Sequence, residues 1–366
     1  DLLDDIEKEK TNVASIAYEM NLFDGLLTKD QVELQISEEL NIAKVDFNEH
    51  TIAFNDYLAV MRLDENSVDY EDNIAIIVAS GEILNGKQAP GLIGGESTAM
   101  LLKKALYDES IHGVMLKIDS PGGSAFASEQ ILEQVIALQA AQKPVVVLMG
   151  SVAASGGYWI AMSADKIFAS PVTITGSIGV FAMFPTLQNS LAELGIYTDG
   201  SGTNQWSGSF RIDREMSSEV KRLVQSQVDY GYDEFINKVS KHRNIPKDTV
   251  RTVAEGQIWT GAEALDNGLI DALGGFNDAL NEIEALTNLS ETEYGLIYLQ
   301  QEISPTESLA ISFLNTLHSL DITFLKSSSM SPAFDYLNSQ IEQFMLPWLH
   351  FNDPKGLYAY CFCELN

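Results

Sequence analysis

Residues 144–165 read PVVVLMGSVAASGGYWIAMSAD. Val145 to Met149 is an unbroken apolar run of strand length, suited to a strand buried on both faces. Small residues follow, Ala153-Ala154-Ser155-Gly156-Gly157, and from Ser155 to Ser163 the spacing suits a short helix. A membrane span needs about 20 apolar residues, and neither Pro144–Ala164 nor Ile167–Ala192 carries a charge. Gly, Ser, Thr and Pro interrupt both stretches, and the first reads better as a short buried strand followed by a helix.

Working outward, the pattern repeats. Upstream, Asn73–Ala79 is a second apolar run and Thr98–Tyr107 has helical spacing. Val114–Ile118 reads as a strand, and Ser124–Gln142 as a helix with Ile131, Leu132, Val135, Ile136 and Leu138 on its apolar side. Downstream, Lys166–Ala169 is another strand, and Met216–Arg243 a long helix leading away from the sheet. This alternation predicts an α/β fold with a mainly parallel sheet and crossover helices, holding ligands at the carboxyl ends of its strands.

The 366 residues include 52 acids and 22 bases, a net charge of −30, with 45% apolar residues. Such a chain is globular with an acidic surface. Phosphate binding needs an excess of Lys and Arg that is absent, which argues against nucleic acid as a partner. The acids concentrate at the ends: residues 1–72 hold 19 acids and 5 bases, and residues 276–366 hold 12 and 2. Two cysteines, Cys361 and Cys363, offer neither a disulfide framework nor a zinc set, so no metal or cofactor is expected.

An internal match bears on domain organisation. Ala17–Leu26, AYEMNLFDGL, and Ala264–Leu273, ALDNGLIDAL, share four identities in ten at an offset of 247 residues. That spacing suits duplication of a whole domain rather than a solenoid repeat, although two amphipathic helix ends would also look alike by chance. On the duplication reading, residues 1–72 are the C-terminal remnant of a first repeat plus a linker. Residues 73–287 are then a complete second repeat, and 288–366 a C-terminal extension carrying oligomer contacts. More of the first repeat is expected upstream, because the chain opens on neither a Met nor a signal peptide.

Two strand ends carry the chemistry. Ser120-Pro121-Gly122-Gly123 follows the second strand and opens into a helix. Paired glycines let backbone amides approach a ligand, and the helix N-terminus favours negative charge, as an oxyanion hole requires. An ordinary tight turn has the same composition. Ser155, between Ala154 and Gly156, suits a nucleophile elbow, with Gly157 supporting it; a helix N-cap is the alternative. The two motifs lie 32 residues apart across one crossover helix, so they face each other at adjacent strand tips, and together they favour acyl transfer.

A serine nucleophile needs a base. His112 precedes its strand and belongs at the opposite edge of the sheet, His242 ends a charged helix, and His50, His318 and His350 are peripheral. An α/β-hydrolase elbow would have Gly at Ala153 and a histidine later in order. Lys117 alternates outward, Lys143 lies at the wrong edge and Lys221 on a polar helix face, each reading as a solvated charge.

SPGG at Ser120–Gly123, MGSVAASGGYWIAMSAD at Met149–Asp165, TGSIGVF at Thr175–Phe181, WTGAEALDNGLID at Trp259–Asp271 and the closing FNDPKGLYAYCF together resemble the signal peptide peptidase, or protease IV, family in its long, duplicated bacterial form. The resemblance implies the fold of the ClpP and crotonase superfamily, and peptide hydrolysis by a serine and lysine dyad. It implies Ser155 as nucleophile, Ser177 as the serine that positions the lysine amine, and Gly123 with Gly156 as oxyanion donors supported by Gly122 and Gly157. Short family members carry the lysine where this chain reads Gly208–Arg211, GSFR, and a guanidinium cannot act as base. In the long form it comes from the first copy. The resemblance further implies peptide substrates such as cleaved signal peptides, and a homo-oligomer of four subunits. These would sit at the periplasmic side of the bacterial inner membrane, anchored through an upstream segment. An acyl-CoA enzyme of the crotonase kind and a noncatalytic assembly subunit are the alternatives.

Overall fold

The computed structural model describes residues 18–19, 21–41, 70–89, 91–184, 186–204, 207–208, 211–289, 294–301 and 352–363. The chain divides into two compact units, residues 1–68 and 69–366. His50, His318, His350 and the apolar stretch 345–351 lie outside the described residues.

In the first unit, helix α1 (Lys29–Glu39) starts at a capping box. The Gln31 amide donates to the Thr28 hydroxyl at 3.4 Å, and the Thr28 amide to the Gln31 side chain at 2.8 Å.

The second unit runs β1 (Asp72–Ser80), β2 (Ile83–Leu84), β3 (Ile93–Gly94), α2 (Gly95–Tyr107), β4 (Ile111–Ser120), β5 (Gly122–Ser124), α3 (Ala125–Ala140), β6 (Val145–Ala154), α4 (Gly156–Ala161) and β7 (Lys166–Ala169). It continues through β8 (Ile174–Gly176), β9 (Phe181–Ala182), α5 (Gln188–Glu193), α6 (Ser218–Arg243), α7 (Lys247–Thr252), β10 (Ile258–Thr260), α8 (Gly261–Asp266), β11 (Ala272–Leu273), α9 (Phe276–Thr287), β12 (Tyr294–Leu299) and β13 (Leu357–Tyr360).

The main sheet has the order β10-β8-β6-β4-β1-β12, with β7 beside β6 and β11 beside β7. Every pairing in it is parallel except β10 with β8. Its strands are continuous apolar runs because helices cover both faces. Alternate residues point to opposite sides. Ala75, Ile77, Val114, Leu116, Val145 and Val147 meet α2, α3 and α4 on one face, while Ile74, Ile76, Met115, Val146 and Leu148 meet Ala279 and Ile283 of α9 on the other. Each fully buried Ile or Leu stabilises by about 1.5–3 kcal/mol.

Four expectations need correction. Ile136 is exposed, so the buried stripe of α3 is Ile131, Leu132, Val135 and Leu138. Helix α6 does not lead away: Phe235, Ile236 and Val239 are buried in the core, with Phe235 stacked 4.3 Å from Trp159. Residues past 287 contribute strands to the second unit, β12 pairing with β1 and β13 with β5 and β9. Lys143 is no solvated charge, since its amine donates to the carbonyls of Ala105 and Asp108 at the end of α2, at 2.9 and 2.6 Å.

The 247-residue offset recurs in local structure. Asn21 has φ 56° and donates its amide to Tyr18, and Gly268 has φ 73° and donates to Leu265. Helix α1 begins at Lys29 and α9 at Phe276, and Asn41 and Asn288, both at φ 57°, follow the two helices.

Candidate active site

Strand β6 changes neighbours along its length. Val146–Leu148 pair with β7, whereas Val152–Ala154 pair with β8. The change falls at an irregularity in the β4–β6 ladder, where the Asp119 carboxylate accepts the Val152 amide at 3.0 Å. Thr173 and Thr175 donate their hydroxyls to the Gly150 and Ala153 carbonyls, at 2.8 and 2.7 Å, and so fasten β8 to this second half.

That register sets the two serines side by side. Ala154 is the partner of Gly176, and Ser155 and Ser177 are the next residue of each strand. The Ser155 amide donates to the Gly176 carbonyl at 2.8 Å, and the Ser177 amide to Gln257 at 2.7 Å. Both have positive φ, 55° at Ser155 and 50° at Ser177. Ser155 stands at the N-cap position of α4 with ψ −111°, and its side chain makes no capping hydrogen bond there. A backbone this strained costs on the order of 1–3 kcal/mol, and it aims the side chain out of the strand-to-helix junction.

The serine is not uncovered, as the small neighbours suggested. Ser155 is only 1% exposed, at the floor of a cavity of about 620 Å³ that Ser177 also lines. Val180, Phe181, Tyr232, Ile258, Tyr360 and Phe362 give the walls an apolar character. Burial pushes the Tyr232 hydroxyl above its ordinary range.

Gly122, Gly123, Gly156 and Gly157 are packed tightly next to the Ser155 junction, and none of them is among the described residues lining the cavity. A Cβ on Gly122, at φ 101°, would meet the Ala359 carbonyl and come within 2.6 Å of the Gly156 amide nitrogen. At Gly123, φ 152°, it would meet the Ile83 carbonyl; at Gly156 it would lie 2.8 Å from the Ser128 hydroxyl, and at Gly157 2.7 Å from the Ser120 carbonyl. The Gly156 amide opens α4, where the first amides have no partner within the helix. SPGG does not open directly into a helix. Gly122–Ser124 first form β5, which pairs with β13 and β2. The N-terminus of α3 is occupied as well: Asp353 accepts the Ser124 hydroxyl at 2.5 Å and the Phe126 amide at 3.0 Å. The field of α3 is therefore spent on Asp353.

The other candidate bases stand apart. The His112 ring meets Asp72 at 2.5 Å, at the amino ends of β4 and β1. Lys117 is exposed and Lys221 pairs with Glu215 at 2.7 Å. Arg211 forms a two-pronged pair with Asp213, whose carboxyl that hydrogen bond holds down to about 2. Ser209 and Phe210, the middle of GSFR, lie outside the described residues.

Sequence reasoning missed the contribution of the C-terminal segment. Tyr360, Cys361, Phe362 and Cys363 line the cavity, and Asp353 anchors their turn through the Lys355 and Leu357 amides. The FNDPKGLYAYCF motif was visible; its place beside SPGG was not.

Fold and cavity together define an α/β protein with a mainly parallel sheet, in which a buried serine at a strand-to-helix junction lines an apolar cavity. The model of peptidase family S49 matches residues 137–290. The chain is 34% identical to Protease 4 of Salmonella typhi, over 100% of this chain and 58% of that protein. It is also 34% identical to Protease 4 of Haemophilus influenzae, over 98% and 58%, and 32% identical to a putative protease of Synechocystis sp., over 55% and 73%. The chain thus spans little more than half the length of the first two. It belongs to peptidase family S49, the signal peptide peptidase or protease IV family. Among solved structures it resembles a ClpP1 variant from Listeria monocytogenes at 16% identity and TM-score 0.37, over 56% of this chain and 94% of that one.

Proposed function

We propose that this chain carries the nucleophile of a serine endopeptidase that hydrolyses hydrophobic peptides, such as cleaved signal peptides, through a serine and lysine dyad. The observation that carries the reading is the Ala154–Gly176 register, which seats Ser155 and Ser177 side by side at the floor of one apolar cavity. Ser155 attacks the scissile carbonyl, and the Gly123 and Gly156 amides receive the oxyanion. The base is a lysine contributed by a sister copy of this domain. Its amine must be neutral at rest, so its pKa of about 10.4 has to fall through burial in the apolar cavity, with the Ser177 hydroxyl holding it in line. The apolar walls suit extended peptides with small or apolar side chains. The acyl-CoA alternative is disfavoured, because no Lys or Arg is among the described residues lining the cavity to meet the cofactor's phosphates.

By family resemblance we further propose a homotetramer at the periplasmic face of the bacterial inner membrane. Among the described residues, no helix is long and apolar enough to cross a membrane.

The test is fluorophosphonate labelling of the full-length protein, followed by peptide mapping. The label should fall on Ser155, and Ser155→Ala should lose at least about 10³-fold in kcat while still binding peptide. Turnover retained by that variant, or a label on another residue, sinks the assignment.

A further inference from the structure

Cys361 and Cys363 are joined by a disulfide with one residue between them. A bridge of that span closes almost no loop, so it removes little entropy from the unfolded chain and is a poor staple. Its position is more telling. Ala359 of β13 is opposite Gly123 and Tyr360 opposite Gly122, and the Cys361 amide then donates to the Pro121 carbonyl at 2.7 Å. The bridge therefore follows directly on the strand that pairs with Gly122–Ser124, at the residue that holds the Pro121 carbonyl. Between its two arms, Phe362 is 61% exposed yet holds its ring 5.7 Å from Phe181 and 5.1 Å from Tyr360. All five residues from this cluster line the cavity above Ser155.

We propose that Cys361 and Cys363 are a redox-active pair whose closed form orders one wall of the cavity and whose opening by thiols releases it. The consequence for peptide binding rests on the peptidase reading; the redox chemistry does not. Cys363 is partly exposed and Cys361 buried, so an incoming thiolate attacks the Cys363 sulfur. The sulfur–sulfur bond breaks, a mixed disulfide forms at Cys363, and the electron pair leaves on Cys361 as thiolate. A second thiolate attacks the donor's sulfur in that mixed disulfide and expels Cys363. After protonation the protein holds two thiols, and two donor thiols have become one disulfide. The reductant is thus a thiol of the glutathione or dithiol class. Opening leaves Phe362 free to part from Phe181 and Tyr360.

The full chain is equilibrated with reduced glutathione under native conditions and read in three ways. Maleimide labelling should add two tags per chain, and amide exchange at residues 357–363 and 181–182 should quicken at least threefold. The Kd for a fluorescent extended apolar peptide should rise at least threefold, and the Cys361→Ser/Cys363→Ser double variant should bind like the reduced protein and ignore glutathione. A bond that opens only when the chain unfolds overturns the proposal, as do unchanged amide exchange or an unchanged Kd for a peptide that does bind. Quickened exchange with no peptide bound in either state supports the redox pair and sinks the peptidase reading instead.

Discussion

At the scale of one residue, Ser155 carries a conflict between stability and placement. Its φ of 55° and ψ of −111° lie where a side chain is unwelcome, and its neighbours force it there: the Gly176 carbonyl takes its amide, and its own carbonyl accepts the Trp159 amide at 2.8 Å. Glycine pays no such penalty. Ser155→Gly should therefore be about 1 kcal/mol more stable than Ser155→Ala, which keeps the Cβ and with it the strain. Urea midpoints of the two variants check this, and equal midpoints would mean that the elbow is relaxed. The place of Ser155 between a strand and a helix was legible in the sequence, because the apolar run ends there in small residues, a pattern that a helix N-cap shares. Its depth was not. A side chain's exposure depends on what other segments bring over it, and here those are β9 and the Tyr360–Cys363 stretch, remote in the chain.

At the scale of elements, the sequence showed what is local and hid what is paired at a distance. The long strands and α3 announce themselves by apolar runs and helical spacing. Strand β5 reads Gly-Gly-Ser, with no strand propensity, and exists because β13 and β2 flank it. Asp353 is hidden for the same reason, its partners Ser124 and Phe126 lying 229 and 227 residues away. Asp353→Ala removes the acceptor of the Ser124 hydroxyl and the Phe126 amide at the start of α3, and that of the Lys355 and Leu357 amides, while the Ser124 side chain still caps the Ala127 amide. It should lower stability by about 2 kcal/mol, measured by urea unfolding. A second element-scale prediction concerns the end of α6. A helix C-terminus favours a protonated histidine, yet burial, joined by Lys241 and Lys238, lowers the pKa of half-buried His242. Below its ordinary pKa near 6.5 the unfolded chain then binds more protons than the folded one, so stability rises with pH through that window. His242→Gln should flatten the rise between pH 5 and 7 in urea midpoints; an identical slope in both proteins would remove His242 as its source.

At the scale of the whole molecule, the two units use one local plan in different surroundings. Leu22 and Phe23 sit 247 residues before Leu269 and Ile270, in turns of the same shape, yet they are 66% and 55% exposed where their counterparts are 0% and 3%. Val32 and Ile36 of α1 likewise correspond to the buried Ala279 and Ile283 of α9, which rest on Phe168, Met115 and Ile74. At these matching positions the first unit's apolar residues are exposed and the second unit's are buried, among the described residues. Stability should follow burial rather than sequence. Leu269→Ala deletes a fully packed side chain and should cost about 2–5 kcal/mol, whereas Leu22→Ala should stay within about 0.5 kcal/mol. Thermal unfolding of the two variants of this chain makes the comparison directly. If Leu22→Ala proved as damaging as Leu269→Ala, the first unit would have to bury its apolar face after all, and the two turns would share an environment as well as a shape.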